Sequence, residues 1–497
     1  MSVYFLGIDI GSTAVKACVA GGGRVAGRGS AGYPTDRLPD GRVEQDPADW
    51  YRAAAEAVRA AVADAGISGR RIAGIGLSAQ GGAMYAAGRG GAPLTPAASW
   101  MDRRAGAEAK EEERLFGAER IRRMCGWPPS ASDCLAKLMK LRREDPGLFY
   151  SAGRFLTTCE SVTARLTGHA VTDPTGQAIT RLYDYRSGAY FSDALNYLGI
   201  GEEKFASVLP CGCFAGGLLP EAAADLGLDA GTPVYNGAHD QYCASIGSGV
   251  TEPGQLLVAT GTAWVLFGVS DRIIDAPPYP AACAHPAAGR YGVMTSMSGC
   301  GGALGAYAAS KGRTLRELDG EIVSRGLADG KGGRFVCPLP EMYSVAHREG
   351  VCRPLGEDAE LDPAETALAA MESIAFESRI LIEAFEAAGF PRGDEVVMSG
   401  GASKSPLWRG ILADVLGDRR LFMLCEPDAP ALGAALIASV SAGAYPSLAA
   451  ASAAFSARVE VPSDPGRSAD YGENTFATAN GHLSDIKRAI FIYRERQ

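Results

Sequence analysis

The sequence predicts an α/β protein of two similarly built domains. Amphipathic helix patterns alternate with apolar strand patterns along most of the 497 residues, a length that one hydrophobic core does not usually organise. Two strand-turn-strand patterns of similar composition, centred on Gly11 and Gly261, lie half a chain apart. A Gly-, Ser- and Pro-rich run at residues 245–255 separates them. We therefore expect a domain of residues 1–249 followed by one of residues 250–497.

The first domain opens with a strand pair. The run FLGIDIGSTAVKACVA, residues 5–20, predicts two strands joined by a polar tip over residues 9–13. The segment PADWYRAAAEAVRAAVADAG predicts a helix that begins at Pro47 and ends at Gly66, and RIAGIGLSAQ predicts the next strand. A strand pair followed by helix and strand is typical of α/β layers.

The second domain repeats this order. The run LLVATGTAWVLFGVS, residues 256–270, predicts another strand pair, with a Gly-Thr tip. Asp362 and Pro363 open a helical pattern that continues to Gly389, and EVVMSGGA predicts the strand after it. A Gly-Gly turn and a further helix follow, so both halves interleave strands and helices in a similar way.

Composition and charge exclude several classes of partner. The 48 basic and 57 acidic side chains give a net charge of −9 without a long basic run, so neither nucleic acid nor an anionic membrane is expected to bind. The N-terminus lacks a signal-peptide pattern. Residues 429–457 are uncharged but interrupted by Pro and Gly, which favours a buried helix and turn. The 12 cysteines are scattered, so we expect a cytoplasmic protein with reduced thiols.

Both strand-pair tips have a composition that suits phosphate. Gly11, Ser12 and Thr13 in the first tip, and Gly261 and Thr262 in the second, expose backbone N–H groups and hydroxyls with little bulk. Plain hairpin turns have the same composition, so each tip alone leaves both interpretations open.

Two further features suit a nucleotide and its metal ion. Gly400 and Gly401 form a strand-turn-helix junction at which a nucleotide base or ribose could approach the backbone; a plain α/β connection is the alternative. Asp9 ends an otherwise apolar strand, where it could hold Mg²⁺ through water or cap the turn.

Asp240 lies between an apolar strand pattern and a small-residue helix pattern, in PVYNGAHDQYCASIGSG. A carboxylate there could accept the proton of a hydroxyl during phosphoryl transfer, or it could cap the helix. His239 could be the base instead, but neighbouring strand residues alternate, so it is expected to point to the opposite face. We therefore assign it a role in supporting the site or the structure.

Five motifs occur together in an order that resembles the FGGY family of carbohydrate kinases: GIDIGST, WMDRR, GAHDQ, ATGTAWV and SGGASKSPLWRGILADVLG. The resemblance spans nearly the whole chain. It implies two actin-like (ribonuclease H-like) domains with a nucleotide cleft between them, and phosphorylation of a small-molecule sugar or polyol by ATP with Mg²⁺. Homodimers occur in this family, so a homodimer is a further expectation.

The resemblance also implies roles for individual residues. It identifies Asp240 as the catalytic base and places Asp9 near Mg²⁺. The implied sugar contacts are Gln80, Gly81, Trp100, Asp102, Asp240 and Gln241. The implied ATP contacts are Gly11, Ser12, Thr13, Lys16, Gly261, Thr262, Gly302, Gly400, Gly401 and Ser405.

The chain departs from the family's patterns on the sugar side. Xylulose kinases usually have Gln-Met-His-Gly where this chain has Gln80-Gly81-Gly82-Ala83, and the Arg-Glu pair of glycerol kinases is also missing. Met101 replaces a more usual Asn or Gln, and the run after Cys337 keeps only the Pro338-containing loop and Gly350 of the family's pattern. The two glycines could enlarge the sugar pocket, or another side chain such as Trp127 or Tyr343 could fill the space.

These patterns predict an ATP-dependent kinase, with D-xylulose as the named sugar. A kinase of another ketose, an aldonate or a polyol, of the ribulose, gluconate, glycerol or erythritol type, is the first alternative. A sensor that binds sugar and nucleotide without turnover is the second. A glycosidase using Asp9 and Asp240 is the third, although the two strand-pair tips would have no role in its reaction.

Overall fold

The computed structural model describes residues 3–261, 264–276, 280–297, 300–329 and 361–472. Helices and strands alternate through both halves of these residues. The strands are β1 Tyr4–Ile10, β2 Ala14–Gly21, β3 Arg24–Gly32, β4 Asp36–Arg37, β5 Val43–Gln45, β6 Ile72–Ala79, β7 Met84–Ala87, β8 Ala97–Ala98, β9 Arg154–Thr157, β10 Val171–Thr172, β11 Tyr183–Asp184, β12 Ala189–Tyr190, β13 Ser207–Val208, β14 Phe214–Gly217, β15 Pro233–His239, β16 Leu256–Thr260, β17 Trp264–Ser270, β18 Ala281–Ala284, β19 Tyr291–Met297, β20 Glu395–Gly400, β21 Arg420–Leu424 and β22 Arg458–Val461.

The helices are of very different lengths. They are α1 Pro47–Asp64, α2 Gly106–Phe116, α3 Ala118–Cys125, α4 Cys134–Glu144, α5 Pro146–Ser151, α6 Thr158–Thr167, α7 Pro174–Ala178, α8 Ser192–Leu198, α9 Pro220–Leu226, α10 Asp240–Gly247, α11 Cys300–Ser310, α12 Leu315–Ser324, α13 Pro363–Ala387, α14 Pro406–Val415, α15 Ala429–Ser441, α16 Leu448–Phe455 and α17 Pro465–Asp470. Short 3₁₀ turns occupy Gly69–Arg71, Glu202–Lys204, Leu327–Asp329 and Ala402–Lys404.

The two large sheets share one topology. The first has the order β14-β15-β6-β1-β2-β3, in which β1, β2 and β3 form an antiparallel meander and β6 and β15 run parallel to β1. The second has the order β18-β19-β17-β16-β20-β21-β22, in which β16, β17 and β19 form the meander and β20 and β21 run parallel to β16. The prediction of two similarly built α/β halves is therefore confirmed.

Several predicted elements begin and end close to the expected residues. Helix α1 begins at Pro47 after the cap Asp46, whose side chain accepts from the Ala48 N–H group. Helix α13 begins at Pro363 after the cap Asp362. The first hairpin differs at its tip: Asp9 lies within β1, paired with Lys16, so the tip is shorter than predicted.

Helix α15 lies across the first sheet, although it follows the second sheet's parallel strands in the chain. A Cβ atom on Gly7 of β1 would lie 1.8 Å from the carbonyl oxygen of Ala431, and one on Gly76 of β6 would lie 2.0 Å from that of Ala434. Only glycine permits the helix backbone to approach the strands so closely. The division at residues 249 and 250 falls between β15 and β16 and stays a prediction.

The uncharged run at residues 429–457 folds as expected, into the buried helix α15, a turn and helix α16. Leu432, Ala435 and Leu436 of α15 are fully buried. In the part of the chain that the structure describes, no helix combines the length and the apolar character that crossing a membrane requires.

Candidate active site

The tip of the first hairpin is held by its carbonyl groups. The Gly11 carbonyl accepts from the Tyr33 hydroxyl, the Ser12 carbonyl accepts from Gln45 Nε2 at 2.8 Å, and the Thr13 carbonyl accepts from the Tyr33 N–H at 3.2 Å. No described residue accepts from the Ser12 or Thr13 N–H group. Backbone N–H groups left open in this way are a usual anion-binding arrangement.

Gln80, the residue directly after β6, supports this tip. Its Nε2 donates to Gln45 Oε1 at 2.9 Å, and its N–H donates to the Ile10 carbonyl at 2.9 Å. Its own Oε1 is buried and has no donor among the described residues. Gln80 therefore has an acceptor left for a ligand, while its amide nitrogen is already bonded. Gln45 and Tyr33 were not predicted, because nothing in their local sequence indicates a contact with the tip.

Trp100 joins the predicted sugar side to the predicted phosphate side. Its Nε1 donates to Ser12 Oγ at 2.8 Å, and its side chain remains 42% exposed. Asp102 behaves differently: it is fully buried, and its oxygens accept from the Val43 N–H at 2.7 Å and from Arg104 Nε at 2.8 Å. These bonds make Asp102 a brace for Arg104, and its direct contact with the sugar stays a prediction.

Lys137 of α4 is a buried cation that the sequence did not single out. Its Nζ donates to the carbonyls of Ser99 at 2.7 Å and Gly82 at 3.2 Å. Burial lowers its pKa. Through these bonds Lys137 ties the Gly81-Gly82 loop to the chain just before Trp100.

The space beside Gly81 and Gly82 is filled. A Cβ atom on Gly81 would lie 2.7 Å from His239 Cδ2 and 2.8 Å from Ile179 Cγ2, and one on Gly82 would lie 3.3 Å from Trp100 Cβ. Gly82 also has a φ of 77°, which other residues rarely adopt. Among the described residues, His239, Ile179 and Trp100 line this space. The Trp127 ring faces Arg181 instead, and Tyr343 lies outside the described residues.

Asp240 is the first residue of α10 and does not cap it. The cap is His239, whose Nδ1 accepts from the Gln241 N–H at 3.3 Å. Asp240 Oδ1 lies 3.3 Å from the same Nδ1 and is buried without a hydrogen-bond donor among the described residues. The helix-cap interpretation of Asp240 is therefore wrong, and its carboxylate stays available.

The expected separation of His239 and Asp240 onto opposite faces is also wrong. Strand alternation ends at His239, the last residue of β15, and the chain turns into the helix at Asp240. The alternation rule does not apply across that change of backbone conformation. Gln241, the next residue, has a buried Oε1 that no described residue bonds.

Asp9 lies close enough to Asp240 to be influenced by its charge. Ser78 Oγ donates to Asp9 Oδ1 at 2.7 Å, and Asp9 is only 6% exposed. Burial, followed by the charge of Asp240, raises the pKa of Asp9 to about 7. The charge of Asp240 near the buried Asp9 carboxyl group favours the approach of a cation.

The described residues contain no group of three or more His, Cys, Asp or Glu side chains able to hold a metal ion. A cation here would thus depend on few protein ligands. This is the usual situation of Mg²⁺ beside a polyphosphate. Lys16, the predicted phosphate contact, forms an ion pair of 2.9 Å with Asp428 of the second half.

Thr260 brings the predicted nucleotide residues together. Its carbonyl accepts from the Gly401 N–H at 2.7 Å, and its Oγ1 accepts from the Ala402 N–H at 3.1 Å. Gly261 therefore begins its turn beside the Gly400-Gly401 junction. Thr260 was missed because its partners lie about 140 residues further along the chain.

The remaining nucleotide-side residues lie around this junction. A Cβ atom on Gly301 would be 2.4 Å from the Gly261 carbonyl oxygen, so the start of α11, with Gly302, lies against Gly261. Ser405 caps α14 by accepting from the Trp408 N–H at 3.1 Å. Other predicted residues lie outside the described part of the chain: Thr262, Pro338 and Gly350.

Comparison with known proteins identifies the family. The N-terminal domain pattern of the FGGY family of carbohydrate kinases matches residues 4–247, and its C-terminal domain pattern matches residues 258–442. The chain is 27% identical over 458 residues to the xylulose kinase of Bacillus subtilis (strain 168), covering 90% of this chain and 89% of that one. It is 27% identical over 512 residues to the ribulokinase of Mycolicibacterium smegmatis, covering 92% and 89%.

Solved structures show the same fold. The xylulose kinase from Rhodospirillum rubrum matches with a TM-score of 0.83 at 24% identity, over 98% of this chain and 99% of that one. The Plasmodium falciparum glycerol kinase with ADP matches with a TM-score of 0.81 at 16% identity, over 97% and 98%. The chain thus belongs to the FGGY family of carbohydrate kinases, and it is a sugar kinase with the two-domain actin-like fold that phosphorylates a small-molecule sugar with ATP.

Proposed function

We propose that the protein phosphorylates a ketopentose, with D-xylulose converted to xylulose 5-phosphate, and that Asp240 is the general base. One observation carries the base assignment: the Asp240 Oδ1 atom is buried and lacks a donor among the described residues, while His239 caps the helix in its place. The xylulose kinases among the relatives support the choice of sugar.

In this proposal the chemistry at Asp240 is a proton transfer coupled to attack. The carboxylate takes the proton of the sugar hydroxyl while the hydroxyl oxygen bonds to the γ-phosphorus of ATP. The bond between that phosphorus and the bridging oxygen breaks, and ADP leaves with the electron pair. Asp240 lies at the positive end of the aligned peptide dipoles of α10.

The predicted phosphate and nucleotide residues fit ATP, and Asp9 fits Mg²⁺. The open N–H groups of Ser12 and Thr13 suit phosphate oxygens, and the Gly400-Gly401 junction beside Gly261 suits the nucleotide. Asp9, whose buried carboxylate lies near Asp240, suits Mg²⁺ held partly through water. Bound Mg²⁺ would neutralise charge on the phosphates.

A coupled ADP-release assay over ketoses, aldonates and polyols tests this proposal. We expect turnover with Mg-ATP to be fastest with a ketopentose, and Asp240→Asn to lower kcat by roughly 10²–10⁴-fold while the sugar still binds. Preference for an aldonate or a polyol would replace the ketopentose. Absence of ADP release with every sugar, although sugar and ATP both bind in calorimetry, would favour the sensor alternative.

A further inference from the structure

The His239 side chain occupies the space above Gly81 in a fixed orientation. A Cβ atom on Gly81 would lie 2.9 Å from His239 Nε2, closer than real contacts allow. The backbone N–H of His239 donates to Thr175 Oγ1 at 2.9 Å. The imidazole ring packs edge-on against the Tyr242 ring, with the ring centroids 6.3 Å apart. His239 is only 8% exposed, so the imidazole is held from several sides.

His239 Nδ1 has two polar neighbours, the Gln241 N–H and Asp240 Oδ1, each at 3.3 Å. We assign the ring proton to Nε2, because Nδ1 can then accept from the Gln241 N–H. No described residue accepts a hydrogen bond from Nε2. The imidazole therefore has a donor to offer at the edge that faces Gly81.

The polar atoms left open on the neighbouring residues are acceptors. Asp240 Oδ1, Gln241 Oε1 and Gln80 Oε1 are all buried without a donor in the described part of the chain. A sugar brings hydroxyl donors for such oxygens and also oxygens that must accept. The Nε2–H group of His239 is suited to donate a hydrogen bond to one of these accepting sugar oxygens.

We propose that His239 is a specificity-determining residue of the sugar site. Its Nε2–H donates to a carbonyl or hydroxyl oxygen of the sugar, and its ring limits the site to small sugars. It thereby replaces side chains that the glycines at positions 81 and 82 lack. This inference rests on the proposed function, because it concerns the sugar whose hydroxyl Asp240 deprotonates.

Two substitutions separate the sugar contact from the helix cap. In His239→Asn the amide can still accept from the Gln241 N–H, but it does not reach Gly81. In His239→Gln the amide nitrogen takes the place of Nε2, but the cap is weakened. We expect His239→Asn to raise the KM for the ketopentose about threefold to tenfold, with ATP KM and melting temperature unchanged. His239→Gln should keep the sugar KM close to that of the parent and lower the melting temperature.

The preference between larger and smaller sugars distinguishes a sugar contact of His239 from a purely structural role, because a structural role would not change that preference. Shortening the side chain in His239→Asn opens the volume above Gly81. The ratio of kcat/KM for a ketohexose to that for a ketopentose should therefore rise in this variant. An unchanged ratio together with an unchanged sugar KM would overturn the inference.

Gly81→Ala tests the same contact from the other side. The added methyl group collides with the imidazole and with Ile179, and only the first collision is relieved in the His239→Asn background. The substitution should therefore raise the sugar KM more in the parent than in that background. Gly90→Ala is the matched control, because a Cβ atom there meets nothing within 4 Å. Equal effects of Gly81→Ala in both backgrounds would contradict the contact. An inactive parent on every sugar would overturn the proposed function and this inference together, whereas an active parent with an unchanged sugar KM in His239→Asn overturns only the inference.

Discussion

Glu160 is a buried carboxyl group that makes the stability of the protein depend on pH. Its Oε2 accepts from the Thr157 N–H at 2.6 Å in a capping box at the start of α6, and the residue is 1% exposed. Burial raises its pKa from 4.5 to about 7, against the smaller effect of its bonds to Thr157. The folded protein therefore retains this proton over a pH range in which the unfolded chain has lost it. Its contribution to the free energy of unfolding falls as pH rises from 4.5 to 7 and is constant above that.

Glu160→Gln should flatten this pH dependence. Glutamine preserves the capping box but cannot ionise. Between pH 5.5 and 8.5 we expect the parent to lose ~2 kcal/mol more of its unfolding free energy than the variant. Urea unfolding at the two pH values measures this difference, since all other titrating groups are shared. Parallel losses in parent and variant would contradict the raised pKa of Glu160.

At the scale of elements, the base is positioned by a close helix crossing. A Cβ atom on Gly433 of α15 would lie 1.9 Å from the Cys243 carbonyl oxygen of α10, and one on Gly247 of α10 would lie 2.0 Å from the Ala429 carbonyl oxygen. Backbone lies against backbone at both points, so neither contact can be relieved by a side-chain rotation. Because α10 begins at Asp240, the crossing fixes where the carboxylate lies.

Gly433→Ala should push the two helices apart. We expect the unfolding free energy to fall by ~1–3 kcal/mol. We also expect kcat to fall more than the ATP KM changes, because Asp240 moves with α10. Thermal unfolding and steady-state kinetics measure the two effects. Gly320→Ala in α12 is the matched control, since its Cβ atom meets nothing within 4 Å and helix propensity favours alanine. A variant as stable and active as the Gly320→Ala protein would refute the close crossing.

Across the whole molecule, the elements that were predicted correctly are those that local sequence patterns determine. Both hairpins, α1, α13 and the strand before Gly400 were predicted, because each depends on residues that are close in the chain. The role of Thr260 in joining two glycine turns and the position of the His239 ring above Gly81 were missed. Both depend on contacts between residues more than 100 positions apart, which periodicity does not record.

A fragment of residues 1–249 should not fold alone, even though it contains a complete sheet. One face of that sheet, including the close contacts at Gly7 and Gly76, is covered by α15 from the second half. Removing α15 exposes this apolar face to water. We expect the fragment to bind hydrophobic dyes and to lack a cooperative thermal transition. A sharp transition in the fragment would show that the sheet does not need the helix.

The placement of α15 also has a consequence for synthesis on the ribosome. The first sheet is complete at His239, but the helix that covers it is made only after residue 429. At typical elongation rates this interval lasts roughly 10–40 s. During that time the apolar face of the first sheet is exposed to water. The nascent chain therefore depends on another partner to cover this face until α15 has been made.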